Sequence, residues 1–226
     1  MLSDLKRLLL GPEQSLGESS TSSPQLAGNR SLPRSREVMV LYGMGGIGKS
    51  QIMLEYAYQN LENYSSIFWI DASNKETLAT SGRRILQRLI AHIATKHLTS
   101  PDYSVISTAL GVPGQFAAGQ LEESGELSPQ TVWTAVRYWL SKKGNSKWLL
   151  LVDNYDDLKA VNMNDYLPTC NTGTIVVTTR VRATVANLNG RSIEIGDIGK
   201  EAGVRLLLSS CNMTMAGQAD SSPPSE

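Results

Sequence analysis

Apolar positions along the chain fall into two kinds of block that alternate. Short runs with no polar break stand at Val38-Met39-Val40-Leu41-Tyr42, Ile67-Phe68-Trp69-Ile70, Trp148-Leu149-Leu150-Leu151-Val152 and Ile175-Val176-Val177. Unbroken runs of this length predict strands buried on both faces, as in a parallel sheet. They place strands at 37–42, 66–71, 147–153 and 173–180, with a short fifth at 192–195. Between them, apolar residues recur at helical spacing. One helix is predicted from Lys49 to about Asn60, with Ile52 and Tyr56, then Met53 and Ala57, on its apolar face. A second follows a capping box of Ser73 and Glu76 and runs to about His97, burying Leu78, Ile85, Leu89 and Ile93. A third begins at Ser128-Pro129, an N-cap followed by a first-turn proline, and stops near Gly144; Val132, Val136, Trp139 and Leu140 mark its buried side.

The remaining stretches lack either rhythm. Residues 2–10 read as a short amphipathic helix ended by Gly11-Pro12, and 14–36 as a Ser-, Gly- and Pro-rich linker. Residues 99–127 read as an insertion or long loop, 200–210 as a last helix, and 211–226 as a frayed tail. The expected organisation is a helix and linker over 1–36, one domain over 37–210, and the tail. Strands alternating with helices imply an α/β fold, a mostly parallel sheet with helices on both faces. Ligands of such sheets sit at the carboxyl ends of the strands.

The chemistry is concentrated there. After the first strand comes Gly43-Met44-Gly45-Gly46-Ile47-Gly48-Lys49-Ser50, and a helical pattern follows from Gln51. Glycines let the backbone wrap close to an anion, and the dipole of the next helix adds positive potential. This strand–loop–helix context is that of a phosphate-binding loop. Gly43, Gly45, Gly46, Ile47, Gly48, Lys49, Ser50 and Gln51 are therefore the candidate nucleotide-binding residues. Lys49 would reach the β- and γ-phosphates, and the Ser50 hydroxyl would ligate Mg²⁺. The spacing G-x4-G-K-[ST] alone arises by chance in about one chain in a hundred of this length, so the flanking strand and helix carry much of its weight.

Two further strand tips carry charges. Asp153 ends the third strand and is placed to hold Mg²⁺ opposite Ser50. Arg180 ends the fourth and can report a γ-phosphate; Arg182 is the less favoured candidate. Lys49, Asp153 and Arg180 are the candidate catalytic residues, and Ser50 with Asp153 the candidate metal ligands. Asn154 stands where many ATPases place a second acid that orients or deprotonates the attacking water. An amide cannot accept that proton, which predicts slow hydrolysis. Asp156 and Asp157 are expected to face elsewhere. His92 and His97 lack an acid or nucleophile partner and read as surface or packing residues. Trp69, Trp133, Trp139 and Trp148 fall within strand or helix patterns and read as core.

Composition narrows the remaining classes. The chain has 226 residues, 41% of them hydrophobic, with 21 basic and 21 acidic side chains. A balanced charge gives no footprint for nucleic acid or an anionic membrane. The two cysteines, Cys170 and Cys211, argue for a reducing compartment and against a disulfide scaffold or a zinc cluster. No stretch approaches membrane-spanning length and no signal-peptide core precedes Gly11, so a cytoplasmic protein is expected.

Taken together, four blocks resemble the nucleotide-binding core of the NB-ARC family, the signal-transducing STAND-class ATPases of NLR-type receptors, in a form similar to that of filamentous fungi. They are Gly43 to Ser50, Ser66-Ile67-Phe68-Trp69-Ile70-Asp71-Ala72-Ser73, Trp148 to Asp157, and Gly173 to Arg180, and their order spans roughly 37–210. The resemblance implies a P-loop NTPase three-layer sandwich with five strands in the order 2-3-4-1-5, and ADP as the resting ligand. It also implies that exchange of ADP for ATP, with Mg²⁺, opens the protein and lets it form a homo-oligomer or join full-length NLR-like relatives. Members of the family usually carry a Gly-Arg-Glu-like segment upstream, a helical subdomain with a Gly-x-Pro motif, and a winged-helix subdomain whose histidine contacts ADP. None is evident here, so the chain is expected to be an isolated core, as a truncated product or a partial gene model, with weak nucleotide affinity. Two other readings stand beside this ADP/ATP switch. One is an active ATPase or phosphotransferase, marked by turnover. The other is a remnant or decoy that binds no nucleotide and docks on relatives.

Overall fold

The computed structural model describes residues 36–95, 102–113 and 127–196. The expected helices at 2–10 and 200–210, the linker before Arg36, the tail, His97 and most of 99–127 lie outside the described residues. The chain divides into two compact units, Met1–Ile195 and Gly196–Glu226, and the described elements belong to the first.

Five strands form one parallel sheet. They are β1 (Glu37–Tyr42), β2 (Ser66–Asp71), β3 (Trp148–Asp153), β4 (Thr174–Thr179) and β5 (Arg191–Glu194). Their spatial order is β2-β3-β4-β1-β5, the order the resemblance implies. The unbroken apolar runs are resolved by the period-2 alternation of a strand. Val38, Val40, Phe68, Ile70, Leu150, Val152, Ile175 and Val177 enter one apolar cluster. Met39, Leu41, Leu149, Leu151 and Val176 enter the other. Strands β1, β3 and β4 thus serve two cores, one on each side of the sheet, which is why polar breaks are missing from their sequences.

Helix α1 (Lys49–Gln59) covers one face with Met53, Tyr56 and Ala57. The other face is covered by α2 (Lys75–Ala94) and α4 (Pro129–Ser141). Helix α2 buries Leu78, Ile85 and Leu89 as its periodicity predicts, and α4 buries Val132, Val136 and Leu140. The predicted N-cap of α4 is in place, since Ser128 accepts from the Thr131 N–H. The start of α2 shifts by one residue: its cap is Asn74, paired reciprocally with Thr77, and not the expected Ser73 with Glu76. A threonine hydroxyl at that third helical position replaces the expected carboxylate.

The stretch read as an insertion or long loop contains a helix, α3 (Tyr103–Ala109), capped by Asp102. Its Ile106 and the Leu110 that caps its end decide its place: both are fully buried in the cluster that α2 and α4 cover. Seven residues are too few to show a hydrophobic period against the Gly- and Ser-rich sequence around them. A further single turn, α5 (Thr184–Asn187), precedes β5. Three tryptophans pack inside as expected. Trp148 is fully buried and donates to the Leu140 carbonyl at 2.9 Å, Trp133 is buried, and Trp139 meets Phe68 edge-on. Trp69 is the exception, 36% exposed, because β2 is the sheet's edge strand.

Parallel register aligns the carboxyl ends of the strands. Tyr42 pairs with Thr179, Val152 with Val177, and Asp71 with Asp153. The residues that follow Tyr42 and Thr179, and Asp153 itself, therefore share one edge. Ile106→Ala is expected to lower unfolding free energy by about 2–5 kcal/mol, as for other buried aliphatic truncations. Val105→Ala on the exposed side of the same helix is expected to change it by less than about 0.5 kcal/mol. Urea titration of both variants checks whether α3 belongs to the core.

Candidate functional site

The loop from Gly43 to Gly48 leaves β1 at the common edge and turns directly into α1. Three of its glycines have positive φ, Gly46 at 77° among them. Gly43 has φ 153° and lies against the Ile195 carbonyl oxygen, where a side chain would collide. Gly48 caps α1 in the left-handed region, φ 97°, with no side-chain cap of its own. That leaves the first N–H groups of α1 without side-chain acceptors from the cap, the arrangement that attracts anions.

Lys49 is 9% exposed and its ammonium donates to the carbonyls of Gly43 at 2.9 Å and Met44 at 2.7 Å. Burial pushes its pKa below the ordinary lysine value; Asp156 opposes that shift, Arg180 adds to it, and Asp153 opposes it. Ser50 donates from Oγ to Asp153 Oδ1 at 2.7 Å. The Thr178 hydroxyl makes a short hydrogen bond to the same oxygen, and the Asn154 amide donates to Asp153 Oδ2 at 3.3 Å. Asp153 is 7% exposed, and these three donors satisfy a carboxylate that burial would otherwise penalise heavily. A hydroxyl and a carboxylate in contact offer the hard oxygen donors that suit Mg²⁺, which keeps waters and phosphate oxygens as its other ligands. Among the described residues no group of three or more His, Cys, Asp or Glu is gathered to form a richer metal site.

Beyond β3 the chain is laced to the end of β4. Asn154 takes a left-handed turn, φ 61°, and its N–H donates to Thr178 Oγ1 at 3.0 Å. The Tyr155 N–H donates to the Thr178 carbonyl at 3.0 Å, and the Thr179 hydroxyl to the Tyr155 carbonyl at 2.6 Å. Tyr155 is thereby buried in the core, and Asp156 is delivered to the opposite, open side. This corrects the expectation that Asp156 faces elsewhere: the turn at Asn154 brings it back over the loop. Its Oδ1 accepts the Arg180 N–H at 2.7 Å and its Oδ2 pairs with Arg180 Nε at 2.9 Å.

These groups line one cleft of about 270 Å³: Gly45, Gly46, Gly48, Lys49, Ser50, Gln51, Asn154, Asp156, Thr178, Thr179 and Arg180. Gly43 and Ile47 are placed differently, Gly43 holding Lys49 through its carbonyl and Ile47 packing against the core beneath α1. Asp157 and Ser73 border a shallower hollow beside the cleft, and Asp157 caps the N–H groups of Lys159 and Ala160. Arg182 leans over the Tyr42 ring at 5.9 Å, and His92 is exposed on the last turn of α2. Asp156, Thr178 and Thr179 are the cleft residues that the sequence reading missed. Two threonines ending an otherwise apolar strand were the available signal for the latter pair.

A family model, the NB-ARC domain, matches residues 25–215. The chain belongs to the NB-ARC family. It is a nucleotide-binding signalling module on a P-loop NTPase fold. A search of curated proteins found no match. Among solved structures the NB-ARC chain is similar to a Signal Transduction ATPase with Numerous Domains (STAND) protein with a tetratricopeptide repeat sensor from Pyrococcus horikoshii. Identity is 18% and the TM-score 0.43, over 80% of this chain and 24% of that one. The NB-ARC chain thus spans about a quarter of that protein's length. No described helix is long and apolar enough to cross a membrane.

Thr178 is 1% exposed and serves both Asp153 and the Asn154 N–H. Thr178→Val is therefore expected to cost about 1–3 kcal/mol of stability, the range for stranding buried polar partners. Denaturant titration against wild type measures it, and Thr178→Ser should recover most of the loss.

Proposed function

We propose that the chain is the ADP/ATP-binding switch module of an NLR-like signalling ATPase, with slow hydrolysis. The observation that carries this reading is the meeting of Ser50 Oγ and Asp153 Oδ1 at 2.7 Å, across 103 residues of sequence, beside the loop that buries Lys49. In this reading Gly45, Gly46, Gly48, Lys49, Ser50 and Gln51 surround the phosphates, Lys49 supplies the positive charge, and Ser50 with Asp153 would hold Mg²⁺. The lowered pKa of Lys49 supports it, because a polyphosphate would provide the counter-charge that desolvation makes costly to lack. Arg180 lies over Gly45, where its guanidinium can meet a terminal phosphate. ADP is the resting ligand and ATP the activating one, and their exchange biases assembly with like chains or with longer NLR-like relatives.

Slow hydrolysis follows from Asn154. Its amide nitrogen is committed to Asp153, and an amide cannot take a proton from water. The second reading, a working ATPase, has Asp156 in its favour, since that carboxylate borders the cleft. Both of its oxygens are engaged by Arg180, which argues against a free general base.

A melt with and without nucleotide tests the main reading, because a ligand of the folded form alone raises stability by mass action. MgADP at about 100 times its Kd should add about 2.7 kcal/mol, and Lys49→Ala should abolish the shift. If millimolar MgADP and MgATP both leave the transition in place, a non-binding remnant that docks on relatives replaces the switch. Single-turnover hydrolysis by wild type should run well below about 1 s⁻¹, the lower end for typical enzymes. Asn154→Asp should accelerate it by about tenfold or more, toward the 10²–10⁴ expected of a placed base.

A further inference from the structure

Arg180 is a long side chain on the surface, 66% exposed, and such a group ordinarily samples many rotamers. Here a single carboxylate holds it at two points. Asp156 Oδ1 takes the backbone N–H of Arg180 and Oδ2 takes Nε. The first contact fixes the carboxylate against the end of β4, and the second fixes the plane of the guanidinium. Nε is the inner edge of the guanidinium fork, so the terminal nitrogens stay available. The guanidinium lies against the loop: Cζ and Nη1 are 3.6 Å, and Nε 3.7 Å, from where a side chain on Gly45 would begin. The direction of Asp156 is set by the left-handed turn at Asn154 and by the lacing of Tyr155 to Thr178 and Thr179.

We propose that Asp156 is the positioning residue through which this chain distinguishes a nucleoside triphosphate from a diphosphate, by holding the Arg180 guanidinium over the phosphate loop. This deepens, and rests on, the reading of the cleft as an ATP/ADP site. Preorganisation lowers the ordering cost that Arg180 bears on meeting a terminal phosphate. A diphosphate ends short of Arg180 and gains nothing from it. The carboxylate also neutralises the guanidinium in the absence of that phosphate. A guanidinium and a carboxylate engaged through Nε form a planar pair that leaves the outer edge of the fork for a second acceptor.

The test is calorimetric titration of the full chain with MgADP and with a non-hydrolysable ATP analogue plus Mg²⁺. Asp156→Ala should weaken the analogue by about tenfold, the value of one ordered charge-assisted contact, and leave MgADP within about twofold. Arg180→Ala should do the same, and the double variant should be no weaker than either single one. Asp156→Asn, which keeps one carbonyl acceptor, should fall between. Equal loss of both ligands would assign Asp156 a merely structural role and overturn the proposal. So would multiplicative losses in the double variant, or unchanged analogue affinity with slower single-turnover hydrolysis, which would place Asp156 on the attacking water. If wild type binds no MgADP, the nucleotide reading fails with it. If MgADP binds and Asp156→Ala changes nothing, the positioning role alone fails.

Discussion

The carboxylate of Asp153 is the node on which the site depends. It is a charge at the tip of an interior strand, almost withdrawn from water, and it is tolerated because three elements aim donors at it. Ser50 comes from the first turn of α1, Thr178 from β4, and Asn154 from the segment after β3. An isolated ionised carboxylate in that position would be too costly to keep. The same bonds therefore stabilise the acid and set the distance between the phosphate loop and the strand tips. Parallel pairing of β1 with β4, and of β4 with β3, makes the convergence possible, since those pairings put the ends of β1, β3 and β4 on one line.

Around this node a buried anchor adjoins an exposed edge. The loop and Lys49 are anchored by backbone contacts and by a helix packed on the apolar cluster beneath it. Arg180 and Asp156 sit outside that cluster and are joined to each other at the end of β4. A switch turned fully from one state to the other needs about 5.5 kcal/mol of differential binding. A charge-assisted hydrogen bond contributes about 1.5–3 kcal/mol. On the proposed reading, Arg180 meeting a terminal phosphate would supply part of such a difference, and other contacts that change between the states would supply the rest.

Much of the architecture was legible in the order of residues. Strands buried on both faces must be apolar throughout, so four of them were readable as unbroken runs. Helices with one buried side must repeat every three or four residues, so α1, α2 and α4 were readable from Met53 and Tyr56, Leu78 and Ile85, and Val132 and Val136. The phosphate loop was readable because glycine is nearly the only residue that takes φ 97° without strain. Less visible was α3, whose seven residues are too few for a period and whose buried Ile106 and capping Leu110 gain meaning only beside α2 and α4. The cap of α2 was misplaced by one residue because serine, asparagine and threonine are near-equivalent acceptors, and the backbone angle at Asn74 decides among them.

The residues by themselves determined the fold class and the glycine-rich loop, and singled out Lys49, Ser50 and Asp153 as candidates beside it, because those signals lie within one element or its immediate flank. Only the tertiary structure decided that Asp156 belongs to the cleft and holds Arg180. That pairing depends on the left-handed turn at Asn154 and on hydrogen bonds from Thr178 and Thr179, which come from a strand more than twenty residues away. A turn that reverses the facing of a side chain leaves no period in the sequence; it is set by partners that meet only when the strands pair.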